Sequence, residues 1–118
     1  MSQNSRKKTN VLITGSSGFI GKILAKRFSK KYKTYLIDKI KKGKQKNFYL
    51  INLKDKKKLN EFFSNNKVDT IIHLAATCGG IQANKKQPGT YFYNNISMGI
   101  NVIENCRLYG IKKLILVF

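Results

Sequence analysis

The stretch VLITGSSGFIGK, residues 11–22, joins a short apolar run to three glycines spaced three apart, Gly15, Gly18 and Gly21. An apolar run that ends at a glycine is typical of a buried strand followed by a tight turn. If a helix follows the turn, the free N–H groups and positive dipole end of its first turn can hold a phosphate group. The stretch therefore predicts a phosphate-binding turn between a strand and a helix.

Each glycine has a separate expected role in such a turn. Gly15 would let the chain leave the strand sharply, Gly18 would let backbone approach a phosphate, and Gly21 would let helix and strand pack closely. Ser16 and Ser17 would add hydroxyl donors. The spacing G-x-x-G-x-x-G differs by one residue from the common G-x-G-x-x-G pattern, so the glycines need support from their context.

That context is an alternation of strand and helix patterns along the whole chain. We predict strands at residues 10–14, 34–38, 47–53, 68–76 and 112–118, with the chain ending inside the last one. Four of them are continuous apolar runs, which is typical of a parallel sheet covered by helices on both faces. The predicted fold is therefore an α/β, doubly wound (Rossmann) sheet of strand order 3-2-1-4-5 over residues 10–118. Residues 1–9 are predicted to be a disordered basic lead-in.

The predicted helices follow the first, third and fourth strands. They run from Phe19 to about Tyr32, from an N-cap at Asp55, and from Thr90 to about Tyr109, where Gly110 would end the last helix. Their apolar residues fall near one face of each helix: Ile20, Ile23, Leu24 and Phe28; Leu59, Phe62 and Phe63; Phe92, Ile96, Ile100 and Ile103.

Asp38 stands at the end of the second predicted strand, 17 positions after Gly21. A carboxylate at this place would accept hydrogen bonds from both ribose hydroxyls of an adenosine and would repel a 2′-phosphate. This favours NAD as the cofactor, with NADP as the alternative because Lys39, Lys41 and Lys42 could offset the repulsion. Asp38 could also be an ordinary acid at a strand end.

The net charge of +19 at pH 7 raises the question of a polyanionic partner. The lysines are scattered along the chain, only three arginines are present, and no aromatic residues alternate with the basic ones, so a nucleic-acid site is not favoured. Cys78 and Cys106 are too few for a disulfide framework or a metal cluster. With no signal peptide and no apolar membrane span, we expect a cytoplasmic protein with reduced thiols and no metal.

Several stretches together resemble the extended short-chain dehydrogenase/reductase family of NAD-dependent epimerases and dehydratases. They are VLITGSSGFIG, Asp38 after the second strand, IIHLAA and NISMGINVIENC. Within this family, GGIQANKKQPGTYFYNN is most similar to the GDP-L-fucose synthases. Those enzymes use NADPH, whereas Asp38 favours NAD.

The resemblance implies roles at matching positions. The glycine turn with the amides of Phe19 and Ile20 would hold the pyrophosphate, and Asp38 would hold the adenosine ribose. The remaining cofactor contacts would come from Asn52 and Leu53 beside the adenine, from Leu74, Ala75 and Ala76 beside the second ribose, and from Asn95. The loop residues Gly79, Gly80 and Ile81 would border the sugar substrate.

The resemblance also implies that catalysis needs residues that this chain lacks. The family's catalytic Ser/Thr and Tyr-x-x-x-Lys pair would follow Phe118, so the sequence looks like an N-terminal fragment, and we expect it to be inactive alone. The spacings Tyr35–Lys39 and Tyr109–Lys113 straddle predicted element boundaries and are not assigned a role. His73 lies in an apolar strand, which indicates a packed histidine more than a catalytic base.

The resulting functional prediction is the cofactor-binding part of a nucleotide-sugar epimerase or reductase. In the complete enzyme, hydride would pass between nicotinamide and a keto sugar, and a homodimer would be one form of assembly. Two alternatives stay open: a dinucleotide-binding module without catalysis, and a basic nucleic-acid-associated protein that uses the fold as a scaffold.

Overall fold

The computed structural model describes residues 9–41, 43–76 and 85–117. Its strands and helices follow the alternation that the sequence predicts. In chain order they are β1 (Asn10–Thr14), α1 (Phe19–Ser29), β2 (Lys33–Asp38), β3 (Phe48–Leu50), α2 (Lys56–Asn65), β4 (Thr70–His73), α3 (Pro88–Tyr109) and β5 (Lys113–Leu116).

The strands form one parallel sheet of order β3-β2-β1-β4-β5, which confirms the predicted doubly wound topology. β1 lies in the middle, with Leu12 paired to Tyr35 of β2 on one side and to Ile71 of β4 on the other. The chain leaves β1 toward β2 and later returns to the other side through β4. This reversal opens a crevice at the carboxyl ends of β1 and β4, where doubly wound sheets bind ligands.

Alternate residues of the central strand enter two separate cores. Leu12 packs with α2 and α3 in the larger core, which contains the aromatic rings of Tyr35, Phe62 and Phe63. Val11 and Ile13 point to the opposite face, where α1 covers a smaller core through Ala25, Leu24 and Phe28. The sheet is thus covered by helices on both faces, as its continuous apolar strands predict.

Two helix ends confirm the local signals in the sequence. Asp55 caps α2, and its side chain accepts a hydrogen bond from the Lys58 amide at 3.1 Å. Gly110 ends α3 in the left-handed conformation, at φ 64°, which glycine adopts without a steric cost. The predicted apolar face of α2, Leu59 with Phe62 and Phe63, is buried.

Helix α3 differs from the expectation because its apolar stripe faces outward. Phe92, Ile96, Ile100 and Ile103 are all exposed. The buried side instead carries Met98, Asn101, Val102 and Asn105. Asn101 can lie inside because its Nδ2 donates to the Leu53 carbonyl at 2.8 Å, which ties the helix to the loop after β3.

The third and fourth strands are shorter than predicted. After Leu50 the chain turns away, and the Asn52 side chain accepts a hydrogen bond from the Lys54 amide at 3.0 Å in a local turn. After His73, the Leu74 and Ala75 amides donate to the Thr14 side chain. Both apolar runs thus continue beyond their strands as loops at the carboxyl edge. Among the helices of the described ranges, none is long and apolar enough to cross a membrane.

We expect the 118-residue chain to self-associate through β5, which is the outer strand on its side of the described sheet and exposes Ile115. Association should increase with salt, because ions screen the repulsion between chains that each carry a net charge of +19. Sedimentation velocity at micromolar concentration checks this. Ile115→Lys should weaken association, whereas Ile103→Lys, at a similarly exposed position on α3, should not. A monomer at every salt concentration would contradict the prediction.

Candidate dinucleotide site

A cavity of about 150 Å³ opens at the carboxyl ends of the first four strands. It brings together eight of the residues proposed from the sequence, although they come from four separate segments of the chain. These are Gly15, Gly18, Asp38, Asn52, Leu53, Leu74, Ala75 and Ala76. The lining also includes Lys39, one of the lysines noted beside Asp38, and three residues that the sequence did not indicate: Ile37, Ile51 and Met98.

The first and third glycines of the turn are required by the fold itself. Gly15 has a φ of +72°, and a Cβ placed on it would lie 2.7 Å from the Ala75 nitrogen. A Cβ on Gly21 would lie 2.2 Å from the Gly15 carbonyl oxygen. Both distances are shorter than any van der Waals contact, and both involve backbone atoms that cannot rotate aside. These two glycines let the turn, α1 and the end of β4 approach each other.

The middle glycine is different. Gly18 has a φ of −74°, and a Cβ on it would meet only the Gly15 oxygen, at 3.4 Å. The described fold therefore accepts a side chain at this position. Gly18 lines the cavity and stands at the N-cap of α1, where no side chain makes a capping hydrogen bond. The amides that follow have no acceptor within the helix, so this end of α1 can bind an anion.

Asp38 joins the end of β2 to the glycine turn. Its Oδ2 accepts a hydrogen bond from the Ser17 amide at 2.9 Å. Its Oδ1 accepts from the Lys39 amide at 2.7 Å and more weakly from the Ile40 amide at 3.4 Å. A carboxylate has about four acceptor positions, so Oδ2 keeps one for a ligand hydroxyl. Asp38 is half-buried and lines the cavity.

The two serine hydroxyls do not point toward a ligand. Ser17 is buried, and its Oγ donates to the Ile40 carbonyl at 2.9 Å. Ser16 is fully buried, and its Oγ lies 3.5 Å from the Ile37 carbonyl oxygen. The expectation that they donate to a phosphate is therefore replaced by a role inside the fold. The local sequence carries no signal for this direction, because it depends on where β2 ends.

Thr14 and His73 connect the ends of β1 and β4 beneath the cavity. Thr14 Oγ1 lies 2.7 Å from His73 Nδ1 and accepts hydrogen bonds from the Leu74 and Ala75 amides at 3.2 and 3.3 Å. Because both lone pairs of the hydroxyl are occupied, its proton goes to Nδ1, which places the imidazole proton on Nε2. Burial lowers the pKa of His73, so the neutral form is stabilised. His73 is a packed residue, as predicted.

The other described residues that were proposed from the sequence do not line the cavity with their side chains. Phe19 and Ile20 lie in the first turn of α1 with exposed side chains, so their amides are what they offer to the site. Asn95 lies on α3, half-buried and outside the lining of the cavity. Gly79, Gly80 and Ile81, proposed to border the substrate, lie outside the described residues.

A larger groove of about 460 Å³ lies at the opposite, amino edge of the sheet. It runs between the end of α2 at Asn65 and the end of α3 at Tyr109. Helix C-termini carry partial negative charge on their free carbonyl groups, which disfavours a phosphate. The smaller cavity, at a helix N-terminus, is therefore the better candidate for a nucleotide.

The comparisons with known proteins agree with this geometry. The sequence model of the NAD-dependent epimerase/dehydratase family matches residues 11–117. This chain belongs to that family. Membership accounts for the doubly wound sheet and for the position of the glycine turn at its crevice.

Family members of several specificities are similar to the chain. It is 33% identical to GDP-L-colitose synthase of Yersinia pseudotuberculosis, over 89% of this chain and 32% of the relative. It is 29% identical to GDP-L-fucose synthase of Dictyostelium discoideum, over 96% of this chain and 33% of the relative. A UDP-glucuronate 4-epimerase of Thermodesulfobacterium geofontis is also 29% identical, over 89% of this chain and 38% of the relative. The chain thus spans about a third of these relatives' lengths.

Solved structures show the same fold. The UDP-glucose 4-epimerase of Thermus thermophilus, in complex with NAD, superposes with a TM-score of 0.79 at 28% identity, over 90% of this chain and 36% of that one. The UDP-Glc/GlcNAc 4-epimerase of Campylobacter jejuni gives a TM-score of 0.82 at 27% identity, over 92% of this chain and 36% of that one.

We expect the free energy of unfolding to fall as the pH drops below about 6.5, the pKa of an unfolded histidine. Burial lowers the folded pKa of His73, so the unfolded chain binds the proton more tightly and acid favours unfolding. Urea titrations between pH 5 and 8 measure the slope. His73 is the single histidine of the chain. His73→Asn should therefore remove the dependence of the unfolding free energy on pH near pH 6, even if the variant is less stable than the wild type at every pH. An unchanged slope in His73→Asn would contradict the prediction.

Proposed function

We propose that this chain is the NAD-binding part of a nucleotide-sugar epimerase, dehydratase or reductase. The observation that carries the proposal is Gly18. The fold would accept a side chain there, yet the position borders the cavity at the N-terminus of α1. Packing inside the protein does not require a glycine at this position. A ligand that lies close to the backbone would require one.

The elements of the cavity suit the parts of a dinucleotide. The amides of Phe19, Ile20 and Gly21 at the start of α1 would hold the pyrophosphate. The free acceptor position of Asp38 would receive a ribose hydroxyl. Apolar residues would enclose the nucleoside portions: Ile37, Ile51, Leu53, Leu74, Ala75, Ala76 and Met98. Bound NAD would supply hydride transfer, while these residues bind and orient it.

For the substrate, we propose a nucleotide sugar of the GDP-linked class. The similarity to GDP-L-colitose and GDP-L-fucose synthases supports this choice, as does the stretch GGIQANKKQPGTYFYNN. UDP-sugar enzymes of comparable similarity make the UDP-linked class the main competitor. Turnover, a cytoplasmic location and assembly as a homodimer are proposals for the complete protein.

Gly18→Ala should weaken NAD binding about tenfold or more while leaving the fold intact, because the added methyl group has room in the fold but occupies space needed by the ligand. Isothermal titration with NAD measures the affinity, and thermal unfolding measures the stability. Gly99→Ala, on α3 where nothing lies within 4 Å, is the matched control and should bind as the wild type does. Gly21→Ala should instead lower the melting temperature strongly. Wild-type affinity in Gly18→Ala would contradict the proposed site.

Asp38→Ala should reduce NAD affinity about tenfold or more and remove the preference for NAD over NADP, because the carboxylate both accepts a ribose hydroxyl and repels a 2′-phosphate. Titration of both cofactors into both proteins tests this. Asp69→Ala is a control of equal charge change, since the Asp69 carboxylate also accepts a backbone amide, that of Asn10 at 2.8 Å, at the other edge of the sheet.

Two outcomes would overturn parts of the proposal. A folded wild type that binds neither cofactor would overturn the dinucleotide site. A wild type that prefers NADP would overturn the role given to Asp38 while leaving the site itself in place.

A further inference from the structure

Ser17 connects two loops that would bind different parts of a dinucleotide. It lies in the glycine turn after β1, with only 4% of its surface exposed. Its amide donates to Asp38 Oδ2 at 2.9 Å, and its hydroxyl donates to the Ile40 carbonyl at 2.9 Å. One residue of the turn is thus bonded both to the end of β2 and to the start of the loop that follows.

The segment held by Ser17 carries the proposed ribose-binding group. Asp38 Oδ1 accepts hydrogen bonds from the Lys39 and Ile40 amides, so the carboxylate and the following two residues form one hydrogen-bonded turn. The Ser17–Ile40 bond closes this turn against the pyrophosphate-binding loop. Lys39 and Ile40 are exposed, so packing does not hold this turn against the glycine loop as the Ser17–Ile40 bond does.

We propose that Ser17 is a positioning residue, whose hydroxyl locks the start of the β2–β3 loop onto the glycine turn and so aims the Asp38 carboxylate at the ribose. The inference rests on the proposed function, since it concerns the same cofactor. A receptor whose binding groups are already fixed loses less entropy on binding. Ser17 thus contributes to affinity without touching the ligand.

Loss of the Ser17 hydroxyl should lower NAD affinity by a modest factor and leave the stability of the fold almost unchanged. A hydrogen bond of ordinary net strength corresponds to roughly a three- to tenfold change in affinity. The Ile40 carbonyl belongs to an exposed residue, so water can replace the lost donor in the ligand-free protein. Ser17→Ala should therefore weaken NAD binding by roughly this factor with little change in melting temperature.

The test is isothermal titration of NAD into the wild type, Ser17→Ala and Ser29→Ala. Ser29 is the matched control, because its hydroxyl also donates to a backbone carbonyl, that of Ala25 at 2.6 Å, at the far end of α1. Its variant should bind as the wild type does. Equal affinity of Ser17→Ala and the wild type would overturn the inference. If Ser17→Ala does not fold, Ser17→Cys replaces it, with the same expected direction.

A second comparison separates positioning from a general structural role. In an Asp38→Ala background, Ser17→Ala should cost less than about twofold in further NAD affinity, because no carboxylate remains to be aimed. Equal losses in both backgrounds would mean that Ser17 acts on the fold as a whole, which overturns the inference.

Hydrogen exchange of backbone amides in the ligand-free protein tests the positioning role of Ser17 without requiring that NAD binds. The Lys39 and Ile40 amides should exchange faster in Ser17→Ala than in the wild type or Ser29→Ala. Equal exchange rates would overturn the inference even if no NAD binds. If the amides exchange faster in Ser17→Ala but the wild type does not bind NAD, the Ser17–Ile40 bond does hold the two loops together, and the proposed cofactor is overturned.

Discussion

The close approach of the glycine turn to the end of β4 is the contact on which the rest of this site depends. Gly15 lies so near Ala75 that even one methyl group would overlap the backbone, and Gly21 lies as near to Gly15. Three segments, the turn, α1 and the loop after β4, therefore meet with only hydrogen atoms between them. This contact fixes the start of α1 above the crevice of the sheet. The orientation of its free amides follows from that position.

Much of this arrangement could be predicted from the sequence, because it depends on short-range signals. The apolar run before Gly15, the cap at Asp55 and the left-handed end at Gly110 each act within a few residues of their own positions. Parallel pairing and right-handed crossovers then leave few ways to order the strands. Asp38 could be assigned to the crevice because it ends its strand, and the carboxyl ends of parallel strands all lie on the same side of the sheet.

The side-chain directions could not be predicted, because they depend on contacts between distant segments. The apolar stripe of α3 suggested a packed face, yet Asn101 occupies the inside, since the Leu53 carbonyl offers it a hydrogen bond. The Ser17 hydroxyl was expected to donate a hydrogen bond to a phosphate, yet it donates to the Ile40 carbonyl, 23 residues away in the sequence. In both cases a buried polar side chain donates to the backbone carbonyl of a distant segment, a partner that composition and periodicity do not reveal.

The described residues bear more on how a dinucleotide would be held than on how it would react. The imidazole of His73 is buried in its neutral form, and its Nδ1 already accepts a hydrogen bond from Thr14. A general base must instead reach the proton that it removes. The Tyr109–Lys113 spacing is divided between the end of α3 and β5, so it does not form a pair on one helix. Holding and reacting are thus separate tasks in this fold, and the groups placed around the crevice are those proposed to perform the first.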